Sequence, residues 1–193
     1  MYKQCRTEQS ATRQRILEKG LLEAMSQRHY DEISVSDLCT QLDIPRKSFS
    51  RYFSSKDGAL HALIDHALMD LEGFPSPGIA RDGKDGQQDM EMLFSYWLHQ
   101  SRLLDVLERS SLSGVLIERA INHALEESII PQQYLSDEER MIQNHVTTFA
   151  VCGLMSMVVH WHHEGYAQST QQMAQIAMRL VSRPLFPQLS ARK

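Results

Sequence analysis

The sequence is poor in cysteine and lacks the short motifs that mark many enzymes. Its three cysteines, Cys5, Cys39 and Cys152, lie far apart with no Cys-x-x-Cys pair, which argues against a disulfide framework or a zinc ribbon. A glycine-rich phosphate loop, His-Glu-x-x-His and Gly-x-Ser-x-Gly are all missing. We therefore expect no catalytic residues, no metal and no cofactor.

Long apolar runs are missing as well. No uninterrupted apolar stretch approaches the roughly 18 to 20 residues that cross a bilayer, and residues 1–15 are polar rather than signal-like. Apolar residues still make up 42% of the chain, which is enough to bury a core. These features predict a cytoplasmic protein without a membrane partner.

An excess of positive charge is missing from the chain as a whole, because its formal net charge is -4. The distribution is uneven, however. Residues 1–60 hold 10 Lys and Arg against 8 Asp and Glu, whereas the rest of the chain holds 10 against 16. Any attraction to phosphate must therefore come from the N-terminal third, although an imbalance of this size is also common on an ordinary solvated surface.

The apolar residues that are present recur at three- and four-residue spacing, which predicts an all-α fold. The first helix is predicted to turn Ile16, Leu17 and Leu21 inward, with Arg13 and Glu18 elsewhere. A composition rich in Gly, Pro and charge marks residues 73–86 as a linker, and Pro131 marks a break. The predicted helices cover residues 10–27, 35–42, 45–52, 56–71, 88–99, 103–108, 112–128, 137–164 and 170–183.

Two of these helices are short and are joined by a tight turn. Ser34 and Asp37 form a capping box that opens the first, and Asp43 tolerates the left-handed backbone of the turn. Pro45 pre-sets the first turn of the second helix. This arrangement is a helix-turn-helix, the unit that places a helix in the major groove.

The second short helix, PRKSFSRYF, combines an apolar anchor with a basic and hydroxyl face. Phe49 and Phe53 would hold it to the preceding helices. The residues expected to point outward, where they can reach base edges and phosphates, are Arg46, Lys47, Ser48 and Ser50. Spacing alone also allows an ordinary helical hairpin with a solvated basic face.

The segments ATRQRILEKGLLEAM and ISVSDLCTQLDIPRKSFSRYFSSKDGAL resemble the N-terminal domain of the tetracycline-repressor (TetR-like) family of transcriptional regulators. The resemblance covers about residues 10–65. It implies an N-terminal three-helix DNA-binding domain over residues 1–57 and a C-terminal helical ligand-binding and dimerisation domain over residues 58–193. It further implies phosphate contacts from Ser34 or Ser36 and from Lys56, and we include Ser34, Ser36, Lys56 and Tyr52 in the predicted DNA-binding set.

Three residues depart from the family pattern. Ser50 replaces a tyrosine that usually contacts DNA, so the detailed contact pattern is open. His29 and Asp43 replace glycines, and both can adopt left-handed geometry at modest cost.

The resemblance implies a small-molecule effector held among the C-terminal helices. The mostly apolar candidates for its pocket are Phe94, Trp97, Leu98, Leu116, Asn122, His123, His145, Thr148, Cys152 and Met155. Aromatic and methionine residues at helical spacing are also typical of plain core. An apolar or aromatic effector fits this set.

A homodimer is expected through the last two long helices. Residues at three- and four-residue spacing form the predicted seam, namely Gly153, Met157, His160, Trp161, Met173, Ile176 and Leu180. The same stripes could instead complete a monomer core. His160 and His163 share a helix face, but a structural or dimer-surface role is favoured over metal binding.

The sequence thus predicts a DNA-binding transcriptional regulator, a repressor that an effector releases from a double-stranded DNA operator. Two alternatives stay open. An enzyme would require clustered catalytic groups that the sequence does not show. A helical protein-interaction adaptor would account for the dimerising helices but not for PRKSFSRYF.

Overall fold

The computed structural model describes residues 2–71, 84–127 and 135–182. Within these ranges the protein is helical, with no strand and one isolated bridge between Tyr2 and Phe53, so the predicted all-α class is confirmed. A 3-10 turn at Tyr30–Glu32 lies between the first two helices. The helices are α1 (Glu8–Gln27), α2 (Val35–Gln41), α3 (Arg46–Tyr52), α4 (Lys56–Met69), α5 (Lys84–His99), α6 (Ser101–Arg109), α7 (Ser113–Glu126), α8 (Asp137–His163) and α9 (Thr170–Ser182).

Hydroxyl side chains determine where most of these helices begin. The predicted caps accept hydrogen bonds from the backbone N–H three residues later, and they are Ser34, Ser55, Ser136 and Ser169. The first helix begins at Glu8, earlier than predicted, because Thr7 Oγ1 accepts from the Ser10 N–H at 3.3 Å. Helix α5 also begins early, at Lys84. Most of the predicted linker and the predicted break at Pro131 lie outside the described residues.

The chain divides into two compact units. Unit 1 comprises residues 1–72 and 102–123, and therefore holds α1–α4, α6 and α7 through His123. Helices α1 and α4 pack on each other, while α2 contacts α1 and α3. At Gly20 the α1 backbone approaches α2 so closely that a Cβ atom would lie 2.6 Å from the Leu42 side chain. Glycine therefore permits this close approach.

Helix α6 is fastened to the end of α1 by polar contacts. Arg102 pairs with Glu23, and Arg109 Nη1 donates to the Ser26 carbonyl oxygen at 2.9 Å. The Ser110 hydroxyl accepts from the Tyr30 N–H at 3.2 Å. Apolar side chains on the other face of α6 are buried, so the helix is an integral layer of unit 1.

The structure confirms that Leu17 and Leu21 of α1 face inward, and it corrects the predicted positions of Ile16 and Glu18. Ile16, expected inside, is 53% exposed, whereas Gln14 and Glu18 are buried. Their burial is possible because each has a polar partner. Gln14 Nε2 donates to the Lys3 carbonyl oxygen at 3.2 Å, and Glu18 Oε2 lies 2.9 Å from His66 Nδ1.

Unit 2 comprises residues 73–101 and 124–193 and holds α5, α8 and α9. Helix α5 packs mainly on α9 and also contacts α8. Phe94 meets Trp161 edge to face, with 5.6 Å between ring centroids, and Trp161 Nε1 donates to the Gln168 carbonyl oxygen at 2.9 Å. The buried alanines Ala174 and Ala177 give α9 a small-residue face.

Within the described ranges, α8 is long and apolar enough, by length and composition alone, to cross a membrane. The prediction from uninterrupted apolar runs missed this property because polar residues such as Asn144 and Thr148 interrupt its sequence. Helix α8 opens with Asp137, Glu138 and Glu139, and its Val151 and Val158 side chains are buried in unit 2. A core helix of a protein outside a membrane meets the same criterion.

Candidate nucleic-acid interface

The turn between α2 and α3 has the tight geometry that a helix-turn-helix needs. The Ser34 N–H donates to Asp37 Oδ2 at 2.9 Å, and the Asp37 N–H donates to Ser34 Oγ at 3.1 Å, which completes the predicted capping box. The bond from the Ser34 backbone holds the pKa of the Asp37 carboxyl below its usual range. Asp43 adopts the expected left-handed backbone, with φ 49°. His29 does not, since its φ is -63° and its Nδ1 caps the 3-10 turn.

Aromatic packing holds the buried side of α3 in place. Phe49 and Phe53 are buried, with their ring centroids 5.2 Å apart. Pro45 lies at its N-cap. The predicted outward face carries exposed Arg46, Lys47 and Ser50, with Ser48 half-buried beside them. The anchored helix therefore presents cationic and hydroxyl groups on one side.

The cations on this face have no carboxylate partner in the described part of the chain. Arg46, Lys47 and Arg51 of α3 form no ion pair there, and neither does Arg13 of α1. Four other arginines of unit 1 are paired with acids, namely Arg15 with Asp70, Arg28 with Asp37, Arg102 with Glu23 and Arg119 with Asp65, whereas Arg6 and Arg109 also form no ion pair in the described residues. Helix α3 thus carries three cations that no carboxylate in the described residues neutralises, and they would attract a phosphate backbone.

The predicted phosphate contacts occupy different environments. Ser34 and Ser36 are exposed at the start of α2. Lys56 is half-buried, because its Nζ donates to the Tyr30 carbonyl oxygen at 2.6 Å and lies 3.9 Å from the centroid of the Tyr30 ring. Lys56 therefore fastens α4 to the 3-10 turn, whatever else it contacts.

Tyr52 does not fit its predicted role as a DNA contact. Its side chain is 7% exposed, and its ring packs against Phe53 with 6.3 Å between centroids. It lines a groove of about 260 Å³ between α1 and α3, whose polar lining includes Arg13 and Arg51. Arg13 and Arg51, which the sequence did not predict as DNA contacts, have exposed side chains, whereas the Tyr52 side chain is buried.

The predicted pocket residues are divided between the two units. In unit 2, Phe94, Trp97 and Met155 are buried and Thr148 is half-buried. In unit 1, Leu116 is buried and His123 is half-buried. Four members do not fit an interior pocket because their side chains are exposed, and these are Leu98, Asn122, His145 and Cys152.

Trp97 carries an unusual feature for a core residue. Its side chain is fully buried, yet its indole Nε1 has no hydrogen-bond acceptor in the described part of the chain. A buried N–H without an acceptor is costly, so such groups are rare in plain core. Among the predicted pocket residues, Trp97 is therefore the one whose buried N–H requires a hydrogen-bond acceptor.

The predicted dimer seam is partly exposed and partly buried. Gly153, His160, Ile176 and Leu180 are exposed, and Met157 is half-buried. Trp161 and Met173 are instead buried inside unit 2, so they correct the predicted set. Phe149, which belongs to the predicted stripe of α8, is also exposed, and exposed apolar residues continue toward the start of the helix at Met141, Ile142 and Val146.

Among the described residues no group of three His, Cys, Asp or Glu side chains could hold a metal ion. The histidines at the end of α8 occupy different environments. His162 is buried, with its Nδ1 2.8 Å from the Tyr166 hydroxyl, while His160 and His163, which share a helix face, are exposed. The arrangement at the end of α8 thus includes a structural histidine.

One polar cluster escaped the sequence analysis entirely. Tyr2, Asp65 and Arg119 meet in unit 1, where the Tyr2 hydroxyl donates to Asp65 Oδ2 at 2.7 Å and Arg119 Nε donates to Asp65 Oδ1 at 2.6 Å. Burial, reinforced by the Asp65 carboxylate, raises the pKa of the Tyr2 phenol. The three residues are distant in sequence and lie on no shared periodic pattern, so no local signal marks them.

No family model matches the chain, and no curated protein matches it in sequence. Its structure is similar to the dihydroxyacetone kinase operon activator DhaS, with 16% identity and a TM-score of 0.55 over 88% of this chain and 94% of that one. It is also similar to the fatty acid degradation regulator FadR from Bacillus halodurans, with 11% identity and a TM-score of 0.51 over 94% and 98%. At these identities the likeness shows the fold alone, an all-α fold that both solved regulators share.

Proposed function

We propose that this protein is a sequence-specific DNA-binding transcriptional regulator of the TetR-like family, with α3 as its recognition helix. The observation that supports this most strongly is that one side of α3 is buried and aromatic while the other is exposed and cationic. Phe49 and Phe53 fix the helix, while exposed Arg46 and Lys47 have no acid partner in the described residues. A rigid helix with available cations and a hydroxyl at Ser50 suits contacts with base edges and phosphates.

Phosphate contacts would surround this helix. The exposed hydroxyls of Ser34 and Ser36 lie at the N-terminal end of α2. Arg51 in the last turn of α3 and Arg13 on α1 beside it add two further cations. Because Ser50 is shorter than the tyrosine usual in the family, we expect these flanking contacts to carry more of the affinity.

The functional molecule is proposed to be a homodimer joined through α8 and α9. Phe149 is 67% exposed, and a Cβ atom at Gly153 would meet nothing within 4 Å, so no contact described within the chain requires glycine there. Glycine inside a helix costs about 1 kcal/mol relative to alanine, and close approach of another helix would account for it. A second copy presents the same face, as two-fold dimers require. The two helix-turn-helix units of the dimer would then bind two half-sites about 34 to 36 Å apart.

The regulator is proposed to act in the cytoplasm as a repressor that a small apolar or aromatic molecule releases from DNA. The buried Nε1 of Trp97, which has no acceptor among the described residues, supports a ligand site in unit 2, where an acceptor on the effector would satisfy it. The effector would shift the equilibrium only by binding the released conformation more tightly. Trp97→Phe would keep an aromatic side chain while removing the N–H that this acceptor would satisfy.

Selection from a pool of random DNA duplexes tests the proposal. The wild-type protein should enrich a two-half-site sequence, which a gel shift would then bind far more tightly than unrelated DNA. The upstream region of the protein's own gene is a useful first candidate. Failure to enrich any sequence would contradict DNA recognition, and it would favour an adaptor that uses the exposed face of α8 to bind other proteins.

A further inference from the structure

The N-terminal residues lie across the end of the recognition helix. Tyr2 forms an antiparallel bridge with Phe53, and the Lys3 N–H donates to the Tyr52 carbonyl oxygen at 2.9 Å. We call residues 2–5 the strap. Its backbone bonds engage the last residue of α3 and the residue that follows it.

Two buried side chains anchor the strap. Asp65 of α4 is 4% exposed and accepts from the Tyr2 hydroxyl at 2.7 Å. Gln14 of α1 is 2% exposed and donates through Nε2 to the Lys3 carbonyl oxygen at 3.2 Å. Its Oε1 lies 2.9 Å from Cys5 Sγ, which donates to it. The strap therefore links α1, α3 and α4.

Asp65 is shared with another helix of the same unit. Arg119 of α7 donates from Nε to Asp65 Oδ1 at 2.6 Å and from Nη2 to Oδ2, the oxygen that also accepts from Tyr2. A carboxylate buried to this extent requires its guanidinium partner, because one neutral hydroxyl cannot compensate for lost hydration. Loss of Arg119 would leave the buried carboxylate without its ion-pair partner and draw water to it, and this water would compete with the Tyr2 hydroxyl for Oδ2.

We propose that Asp65 is a positioning residue that couples α7 to the recognition helix through the strap. With Arg119 in place, the Asp65 carboxylate holds the Tyr2 hydroxyl, and the strap fixes the C-terminal end of α3. Movement of Arg119 away from Asp65 releases the strap and leaves α3 less well fixed for DNA. The DNA-binding consequence rests on the proposed function, whereas the coupling from Arg119 to the strap does not.

Amide hydrogen exchange at Lys3 tests the coupling without DNA. Tyr2→Phe and Arg119→Gln should each speed exchange of the Lys3 N–H by about tenfold, the effect of losing about one hydrogen bond's worth of protection. Tyr96→Phe, which removes a phenol hydroxyl in unit 2, should leave it unchanged. Unchanged Lys3 exchange in Arg119→Gln would overturn the proposal.

Affinity for the selected duplex tests the consequence for α3. Tyr2→Phe and Arg119→Gln should each weaken binding by about five- to tenfold, and the double variant by little more, because both act through Asp65. Arg119→Lys should recover part of the loss. Leu107→Ala, which destabilises the α6 core, should retain affinity below its melting temperature.

Additive losses, or wild-type affinity in both single variants, would contradict the coupling to α3. If the wild-type protein selects no DNA, the proposed function fails, and the Lys3 exchange rates still decide whether Arg119 controls the strap. The two failures are therefore distinguishable.

Discussion

The Lys56 ammonium lies 3.9 Å from the centroid of the Tyr30 ring and donates to the Tyr30 carbonyl oxygen at 2.6 Å. The Tyr30 hydroxyl in turn donates to Asp57 Oδ1 at 2.6 Å. Two consecutive residues of α4 thus hold one tyrosine of the 3-10 turn. This clasp links the first turn of α4 to the segment that leads into the helix-turn-helix.

Lys56→Ala should lower the free energy of unfolding by about 1 to 3 kcal/mol, because it removes both a cation–π contact and a hydrogen bond. Urea denaturation measures this, and Lys47→Ala, which removes an exposed cation, is the control. Equal stability of Lys56→Ala and wild type would show that the clasp is not stabilising.

The salt dependence of DNA binding separates this internal role from the phosphate contact predicted for Lys56. If the ammonium also contacts a phosphate, the salt slope of Lys56→Ala falls by about 1. An unchanged slope assigns Lys56 to the clasp alone.

We expect the free energy of unfolding to fall at alkaline pH because of the phenols of Tyr2 and Tyr30. Burial and the nearby carboxylates Asp65 and Asp57 raise the pKa of both groups above their ordinary value of 10.0. The unfolded chain therefore releases these protons as the pH passes about 10, while the folded protein retains them. Their contribution is complete below that pH and declines above it.

Urea unfolding at about pH 9 and about pH 11 tests the sign of this effect. The free energy of unfolding of the wild type should fall between the two, and the Tyr2→Phe, Tyr30→Phe double variant should lose less over the same interval. An equal loss in both proteins would mean that other groups account for the alkaline dependence.

Gly153 and Gly114 form a matched pair for the dimer proposal. Both are exposed helical glycines at which a Cβ atom would meet nothing within 4 Å. Gly153→Leu should halve the mass measured by sedimentation, because its side chain would enter the proposed seam, while Gly114→Leu should leave the mass unchanged. A Gly153→Leu protein that stays dimeric places the seam elsewhere, and a wild-type monomer removes it.

Local signals predicted much of the helical framework. The capping boxes at Ser34 and Ser136, the left-handed turn at Asp43 and the buried Phe49 and Phe53 all depend on residues close in sequence, and the structure reproduces them. Such features depend on short-range hydrogen bonds and helical periodicity. The outward face of α3 follows from the same periodicity.

Long-range partners account for what the sequence could not predict. Glu18 reads as a surface residue of α1, yet His66, 48 positions later, makes its burial possible. Trp161 fits the periodic stripe of a seam, but Phe94 and Tyr166 enclose it within unit 2. Periodicity identifies the apolar face of a helix without identifying what packs on it. An apolar face buried within one protomer and an apolar face exposed for a partner therefore have the same sequence pattern.

The most direct test of DNA recognition by α3 compares Arg46→Ala and Lys47→Ala with Lys19→Ala on the selected duplex. Lys19→Ala makes the same change in net charge at an exposed position of α1. Each α3 variant should lose about 1 to 3 kcal/mol of specific binding while keeping its helical content, with Lys19→Ala close to wild type. Wild-type affinity in both α3 variants would contradict the assignment of α3 as the recognition helix.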